Sequence, residues 1–280
     1  MLLYAPVLPW LHWATSVVEM QMTNLTAPAG IFERVQRSAE ADGKAAYFRL
    51  HRHRFAAMLR AMEGRRGAVL EVGVTPGHFT ELLVSSGYSV SGVDLDPTKR
   101  QALWGRLGVE VRRANLEREP LPFADESFDW VIFSEVIEHL LYSPLPVLRE
   151  FRRVLRPGGR LLITTPNELY VKSRLRTILR AALWLSLSTR AEFRHQMQLE
   201  GEARYTTHAR TYTMDELAWL VQTAGLRVVQ RRFEAPWERV GVEAARLRTH
   251  PLRVLGKGAF AALTAALPPA RSMLLVVGEK

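Results

Sequence analysis

The sequence contains no cysteine, which excludes disulfide bonds and thiolate metal sites from the chain of 280 residues. Two segments also lack acidic residues, 1–18 and 252–270. The first is short and interrupted by prolines, and in the second only 13 residues separate Lys257 from Arg271, so neither is expected to cross a bilayer. Residues 1–18 contain Pro6 and Pro9 and no basic residues, so they do not resemble a signal peptide. We favour a true start at Met20 or Met22 over a weak membrane-surface anchor, and we expect a cytoplasmic protein.

Acidic residues are outnumbered by basic ones, which gives a formal net charge of +10. Two interpretations remain open: an arginine-rich proteome, or an anionic partner such as a membrane surface, nucleic acid or phosphorylated substrate. Basic residues are not interleaved with aromatic ones in a stacking pattern, and no RNA-binding module is evident, so nucleic acid is the less favoured partner.

Short apolar runs alternate with amphipathic segments, which predicts a doubly wound, mostly parallel α/β sheet covered on both faces. A helical segment precedes the sheet at 31–62, with candidate core positions Ile31, Val35, Tyr47, Leu50, Phe55, Met58 and Leu59. The predicted strands are 68–72, 89–94, 109–113, 128–134, 160–165, 226–233 and 272–277. The predicted helices are 77–86, 97–106, 144–155 and 214–224, the last with a Thr213–Glu216 capping box and a Gly225 stop. We expect Pro157-Gly158-Gly159 to form the turn that starts the fifth strand.

Residues 171–185 form a basic amphipathic pattern with no acidic residue. Val171, Leu175, Ile178, Leu179, Ala182 and Leu183 recur at helical spacing, and four basic residues lie off that stripe: Lys172, Arg174, Arg176 and Arg180. One interpretation is a lid helix with a solvated face, and the other is peripheral contact with anionic lipid or an anionic substrate.

Two carboxylates follow apolar runs at a spacing that indicates a nucleoside site. Asp94 follows Gly73 by about 20 residues, which places an acid where a second strand can meet ribose hydroxyls. Glu71 ends the first run, and a carboxylate there would repel a dinucleotide pyrophosphate but attract a cation. S-adenosylmethionine (SAM) has a sulfonium, an ammonium and a ribose, so the pair favours SAM as cofactor.

Several motifs together resemble the class I SAM-dependent methyltransferases, over about residues 65–233. They are Glu71-Val-Gly-Val-Thr-Pro-Gly77, Gly-Val-Asp94, Asn115-Leu116, Leu121-Pro-Phe123, Ser127-Phe-Asp129, Ser134-Glu-Val-Ile-Glu-His139 and Arg156-Pro-Gly-Gly159. Within that class, the chain is similar to ubiquinone-pathway O-methyltransferases and to type 11 methyltransferases. The resemblance implies a seven-stranded Rossmann-like fold with a helical lid insertion.

The resemblance also implies which residues contact the cofactor: Glu71, Gly73, Thr75, Gly77, Asp94, Leu95, Asn115, Leu116 and Ser134. Two of them depart from the usual pattern, since the family usually has glycine where Thr75 stands and often an acid where Asn115 stands. A side chain at Thr75 hinders close backbone approach, whereas Asn115 can still accept a hydrogen bond, without charge.

His139 is the candidate general base, because it follows the fourth strand at the edge where open α/β sheets bind ligands. A packing histidine is the alternative. The Glu-x-x-Glu-His segment also resembles ubiquinone-pathway O-methyltransferases and small-RNA 2′-O-methyltransferases, two groups in which such residues bind a divalent metal. This resemblance implies Glu135, Glu138, His139 and His208 as candidate ligands. No metal is assigned, since many metal-free relatives share this segment. His51 and His53 are interpreted as surface residues.

The predicted function is methyl transfer to an oxygen or nitrogen atom of a small molecule, with lipid-linked, quinone-like and glycan acceptors open. RNA methylation and a non-catalytic SAM-fold protein are the alternatives. The predicted organisation comprises an N-terminal extension, a helical segment, a SAM-binding core, a helical lid and a C-terminal part with a second lid element at 234–270. The extension is 1–30, the helical segment 31–66, the SAM-binding core 67–167, the helical lid 168–212 and the C-terminal part 213–280.

Overall fold

The computed structural model describes residues 30–187, 190–238 and 251–280. The predicted N-terminal extension, apart from Gly30, and the middle of the second lid element lie outside the described residues. Seven strands form one sheet in the order β3-β2-β1-β4-β5-β7-β6. They are β1 Ala68–Val72, β2 Ser89–Asp94, β3 Glu110–Arg113, β4 Phe128–Ser134, β5 Leu155–Pro166, β6 Arg227–Glu234 and β7 Met273–Glu279.

Only β7 runs against its neighbours, since it pairs antiparallel with both β5 and β6. The strands from β3 to β5 pair in parallel, which confirms the predicted doubly wound, mostly parallel sheet. Strand order reverses between β1 and β4, and ligands of open α/β sheets bind at such a switch point.

The α-helices with described bounds are α1 Ile31–Ala41, α2 Ala45–Ala61, α3 His78–Ser85, α4 Gln101–Leu107, α5 Leu145–Val154, α6 Val171–Ala182, α7 Arg190–Met197, α8 Met214–Thr223 and α9 Pro251–Ala266. Helices α1, α2 and α3 pack on one face of the sheet, around buried Trp130 and Ile132. Helices α5 and α8 pack on the other face, around Val131 and Phe133. Because consecutive strand residues point to opposite faces, one continuous apolar run in β4 supplies both cores.

The predicted helical segment 31–62 is two helices rather than one. It breaks between Ala41 and Ala45, where Gly43 adopts a positive φ of 67°. Leu50 is 41% exposed, so the prediction of a core residue was wrong at this position. Tyr47 and Leu59 are only partly buried.

The predicted turn at Pro157-Gly158-Gly159 lies inside β5, which begins at Leu155. Phe128 of β4 pairs with Leu155 and Trp130 pairs with Arg160, so the intervening residues form an irregularity within the ladder. A side chain at Gly159 would approach the Arg156 carbonyl oxygen to 2.9 Å, which explains the glycine there. The prediction that a turn separates helix and strand was therefore wrong.

The predicted capping box at α8 is present. Glu216 N donates to Thr213 Oγ1 at 3.4 Å, and Thr213 N donates to Glu216 Oε2 at 2.8 Å. Gly225 follows the helix with a φ of 86°. The reciprocal pair fixes the start of the helix that covers one face of the sheet.

Candidate active site

A cavity of about 270 Å³ opens at the carboxyl ends of β1, β2 and β4. All nine predicted cofactor residues line it, and so do His139 and Glu135. Parallel strands end at a common edge, which is why motifs far apart in sequence meet here. Glu138 and His208 lie outside the lining of this cavity.

Two glycines shape the turn between β1 and α3. Gly73 and Gly77 have positive φ values of 75° and 96°. A Cβ at Gly73 would lie 2.7 Å from Val136 Cγ2, and one at Gly77 would lie 2.3 Å from Leu103 Cδ2. Both backbone conformation and space therefore require glycine, and the bare backbone faces the cavity.

Glu71 is buried at the end of β1, where Thr80 Oγ1 donates to Glu71 Oε2 at 2.7 Å. Burial, with the nearby Asp94 carboxylate as a smaller cause, raises the pKa of Glu71 to about 8. A cation beside this carboxyl group would oppose that shift and stabilise the ionised form. Glu71 therefore attracts a cation only when the bound cation itself stabilises the ionised carboxylate.

Asp94 ends β2 and is oriented by two backbone amides. Thr75 N donates to Asp94 Oδ2 at 3.1 Å, and Asp96 N donates to Asp94 Oδ1 at 3.1 Å. The Thr75 backbone thus links the glycine turn to the carboxylate, while the Thr75 side chain is exposed. Each carboxylate oxygen retains a lone pair for a hydroxyl group.

Asn115 is buried at the cavity wall and its amide is already engaged. Glu117 N donates to Asn115 Oδ1 at 3.1 Å, and the Tyr205 hydroxyl lies 3.5 Å from both Oδ1 and Nδ2 of Asn115. Tyr205 belongs to a 3₁₀ turn, Gly201–Thr206, in the predicted lid. No sequence pattern indicated Tyr205, because its partner Asn115 lies 90 residues earlier in the chain.

Arg54 of α2 is a second residue that the sequence interpretation missed. It is buried, lines the cavity and lies 3.5 Å from Glu135 Oε2, while its Nε has no partner among the described residues. Its signal was its place on the buried stripe of α2, at i−4 from Met58. A charged residue on such a stripe indicates a polar ligand or an internal partner.

His51 is another correction on α2. Its ring lies 4.1 Å from the Tyr47 ring and 5.0 Å from the Trp237 ring, between centroids. Burial lowers the pKa of His51 to about 3, so the interpretation as a surface residue was wrong. His78, at the start of α3, lines the cavity, and burial lowers its pKa to about 4.

The segment after β4 brings Glu138, His139 and His208 together. Ala209 N and Arg210 N donate to the Glu138 carbonyl oxygen at 2.7 and 3.2 Å, which fastens the end of the lid over this segment. His139 and His208 rings lie 4.7 Å apart, edge to face. One ligand-capable atom from each of the three residues falls within 4.8 Å of the others.

Glu135 is held apart from this group, against the expectation of four candidate ligands. Arg54 pairs with Glu135 Oε2, and Thr164 Oγ1 donates to Glu135 Oε1 at 3.0 Å. Glu135 also has a positive φ of 55°, a strained conformation for a residue with a side chain. Ser134, just before it, shares a 2.8 Å hydrogen bond with Thr164.

The contacts of His139 define its tautomer. Nδ1 lies 3.1 Å from the Thr207 carbonyl oxygen, which can only accept, so Nδ1 carries the proton. Nε2 then has the lone pair and lies 4.0 Å from Glu138 Oε1. Burial and the His208 ring lower the pKa of His139, so the ring is a neutral base at physiological pH.

A family model described as a methyltransferase domain matches residues 43–231. The chain belongs to this family. The resemblance to SAM-dependent methyltransferases is thereby confirmed.

Two relatives carry names that specify the cofactor. A protein of Mycolicibacterium smegmatis that is named a probable SAM-dependent methyltransferase is 36% identical over 124 residues, which cover 44% of this chain and 46% of that protein. Another, of Mycobacterium tuberculosis, is 40% identical over 102 residues, which cover 36% of each chain. The chain thus matches less than half the length of these relatives.

A solved structure of a SAM-dependent methyltransferase from Thermotoga maritima supports the fold. It has a TM-score of 0.51 and 22% identity, with 89% of this chain and 98% of that chain covered. The methyltransferase domain described here therefore has the Rossmann-like architecture that the sequence predicted.

The residues of this methyltransferase domain fit SAM on three observations. A Cβ at Gly73 or Gly77 would collide with Val136 or Leu103, so the turn presents bare backbone at the cavity wall. Asp94 presents carboxylate oxygens at the cavity wall, and the buried Arg54 Nε lacks a partner among the described residues. A ligand with hydroxyl, carboxylate and cationic groups satisfies all three.

Proposed function

We propose that the protein is a SAM-dependent methyltransferase that methylates an oxygen or nitrogen atom of a small molecule. The observation that carries this proposal is that Glu71, Asp94 and His139 all line the same cavity at one edge of the sheet. The SAM-dependent relatives support the cofactor, and the position of His139 supports an acceptor that loses a proton.

In this proposal different residues contact the ribose, the methionine part and the adenine of the cofactor. Asp94 accepts from the ribose hydroxyls, and the glycine turn leaves room for the nucleoside beside the backbone. Arg54 Nε donates to the carboxylate of the methionine part, while Glu71 supplies negative charge near its cationic groups. Asn115 and Leu116 border the adenine, with Leu95 beside the ribose and Ser134 at the floor. SAM contributes a methyl group on a sulfonium, whose leaving group is neutral.

His139 acts as the base. SAM would supply a methyl group whose bond to sulfur breaks as the bond to the acceptor forms, with the electron pair left on sulfur. The proton that the acceptor loses moves to His139 Nε2, whose lone pair is free because Nδ1 donates to Thr207. The protein otherwise contributes by holding the reacting atoms in line and excluding water.

The segment that contacts Glu138 supports a proposal about the class of methyl acceptor. The lid segment ends over His139 through the Glu138 contacts, and the same segment begins with the apolar and basic helix α6. No residue of α6 lines the cavity, so α6 supports an amphiphilic acceptor only as part of the same segment, and lipid-linked, quinone-like and glycan acceptors all remain candidates. A chemically diverse extract is therefore the right first substrate source.

Transfer from methyl-labelled SAM tests this function. The full chain is incubated with labelled SAM and either the lipid and small-molecule extract or the RNA of the source cells. We expect label in the small-molecule or lipid fraction, and a loss of about a hundredfold or more in His139→Ala. His195→Ala, an exposed histidine outside the cavity, is the matched control.

RNA methylation is the second candidate, supported by the net charge of +10 and the Glu-x-x-Glu-His segment. Label found in RNA alone would favour it over the small-molecule proposal. A non-catalytic role is supported by the departures at Thr75 and Asn115. SAM binding without transfer to either fraction would favour that role.

A further inference from the structure

Helix α6 presents an apolar stripe to solvent. None of its residues Val171–Ala182 is buried. Leu175, Ile178 and Leu179 are 60%, 64% and 60% exposed, although such side chains are usually covered in a folded protein. Contiguous exposed apolar surface of this kind marks an interaction site.

The stripe continues past the end of the helix. Trp184 is 96% exposed, and Leu183, Leu185 and Leu187 are also exposed. Arg180 Nε donates to the Ser186 carbonyl oxygen at 2.6 Å, and Leu185 N donates to the Arg180 carbonyl oxygen at 2.8 Å. These bonds fold residues 183–187 back against the helix end, so they belong to the same surface.

Basic side chains flank the stripe. At about 100° per residue, Lys172 and Arg174 fall on opposite sides of the line through Val171 and Leu175, and Arg176 and Arg180 lie further round. The segment 171–187 contains no acidic residue. Among the described residues, none pairs ionically with these four cations.

We propose that α6 and residues 183–187 dock on an anionic membrane surface. Within the described ranges, no helix is long and apolar enough to cross a bilayer, so the contact lies in the interfacial plane. The apolar stripe enters the boundary of headgroups and acyl chains, and the flanking cations meet lipid phosphates. Trp184 sits at the level where aromatic side chains are favoured.

Charge argues for lipid over a second copy of this chain. A second copy would bring the same four cations to a self-complementary contact, and the segment offers no acid to neutralise them. Anionic headgroups neutralise them directly. This inference does not depend on methyl transfer, since its test measures binding alone.

Vesicle sedimentation with the full chain tests the proposal. We expect binding to vesicles of phosphatidylcholine and phosphatidylglycerol in equal amounts, weak binding to phosphatidylcholine alone, and weakening by added salt. Arg174→Glu with Arg176→Glu should reduce the partition coefficient by about tenfold or more. Trp184→Ser should reduce it by several-fold.

Matched controls have the same composition change elsewhere. Arg37→Glu with Arg49→Glu alters two exposed arginines of α1 and α2 and gives the same net charge. Trp219→Ser removes a tryptophan that is exposed on α8. Both controls should bind as the unmodified chain does, and unchanged thermal melting in all variants shows that folding is intact.

Three results would overturn the proposal. One is a chain that does not sediment with the anionic vesicles. Another is equal binding by the Arg174→Glu, Arg176→Glu variant and its control, which would assign binding to another part of the chain. The third is a dimer in light scattering that the α6 substitutions dissociate, which would make a second copy the occupant.

Discussion

At the scale of single residues, Glu71 is the group whose charge most directly affects a cationic ligand. Burial raises its pKa to about 8, so the carboxyl group is largely protonated at neutral pH when no cation is near. A ligand that prefers the ionised form must release a proton on binding, and it binds more tightly as pH rises towards that pKa.

The first prediction is that SAM affinity increases from pH 6 to pH 9 and that Glu71→Gln removes this dependence. Calorimetry across that range, in buffers of different ionisation enthalpy, reports both affinity and proton release. Glu138→Gln is the control, since burial also raises the pKa of Glu138 to about 8 but this residue does not line the cavity. An affinity that is flat in the unmodified chain, or equally steep in Glu71→Gln, would contradict the role given to Glu71.

The second prediction concerns His139. A base that uses a free Nε2 needs no metal, so we expect methyl transfer to be unchanged by a chelator such as EDTA. Loss of activity in EDTA and its return with added Mg²⁺, Mn²⁺ or Zn²⁺ would show that Glu138, His139 and His208 hold an ion instead. Their atoms lie close enough for either role.

Which site residues the sequence could predict depends on where they lie in the chain. Gly73, Gly77 and Asp94 belong to short motifs at strand ends, where local conformation and position on the sheet edge decide the role. Arg54 and Tyr205 reach the cavity from a preceding helix and from the lid. Arg54 had the local signal of a charged residue on an apolar stripe, whereas the role of Tyr205 depends on tertiary packing, which local patterns do not encode.

At the scale of elements, the turn between β1 and α3 depends on glycine geometry. Gly77 has a φ of 96°, and an added Cβ would lie 2.3 Å from Leu103 Cδ2. A residue with a side chain in this conformation costs about 1–2 kcal/mol before the contact is counted. The same turn forms one wall of the cavity, so stability and ligand binding should change together.

The third prediction compares two substitutions of glycine by alanine. Gly77→Ala should lower the free energy of unfolding by at least about 1–2 kcal/mol and weaken SAM binding. Gly105→Ala, in the interior of α4 with open space around it, should raise stability by about 0.5–1 kcal/mol without affecting SAM. Chemical denaturation and calorimetry provide the two measurements.

A Gly77→Ala variant that is as stable as the unmodified chain and binds SAM normally would contradict the role given to this turn.

The elements that the sequence predicted well, such as β1, β4 and α8, combine strong apolar runs with clear end signals. The break in the first helical segment and the irregular β5 were missed. The helix break lies at Gly43, whose positive φ is a local feature, whereas the irregularity of β5 depends on pairing with a distant strand, as Phe128 and Leu155 show.

At the scale of the whole molecule, buried carboxyl groups couple folding to pH. Glu71 and Glu138 both have a pKa of about 8 in the fold, above their usual value of 4.5. Their contribution to stability is full below pH 4.5 and is lost as pH rises through 8. His51 and His78 act in the opposite direction, because their lowered pKa values reduce stability only as pH falls below 6.5.

The fourth prediction is that the melting temperature without SAM falls between pH 6.5 and pH 9. Glu71→Gln or Glu138→Gln should reduce the slope, while Glu33→Gln, an exposed residue of α1, should not. Differential scanning calorimetry gives the comparison. A melting temperature that rises over this range would contradict the protonated state assigned to the two buried carboxyl groups.

The whole fold follows from a repeated pattern of strand and helix, and for that reason it was predictable from sequence. The acceptor was not, since it depends on the lid. The partner of α6 was not predictable either, because its exposed stripe makes no internal contact that would restrict the sequence. The methyltransferase domain therefore identifies its cofactor more clearly than its substrate.

The central claim is that the cavity at the ends of β1 and β2 binds SAM through Asp94 and the glycine turn. Isothermal calorimetry of SAM with the full chain and with Asp94→Ala tests it most directly, with NAD as the competing nucleoside ligand. We predict one SAM site, a loss of at least about tenfold in affinity in Asp94→Ala, and no heat with NAD. Binding of NAD without SAM, or equal SAM affinity in both proteins, would contradict the claim.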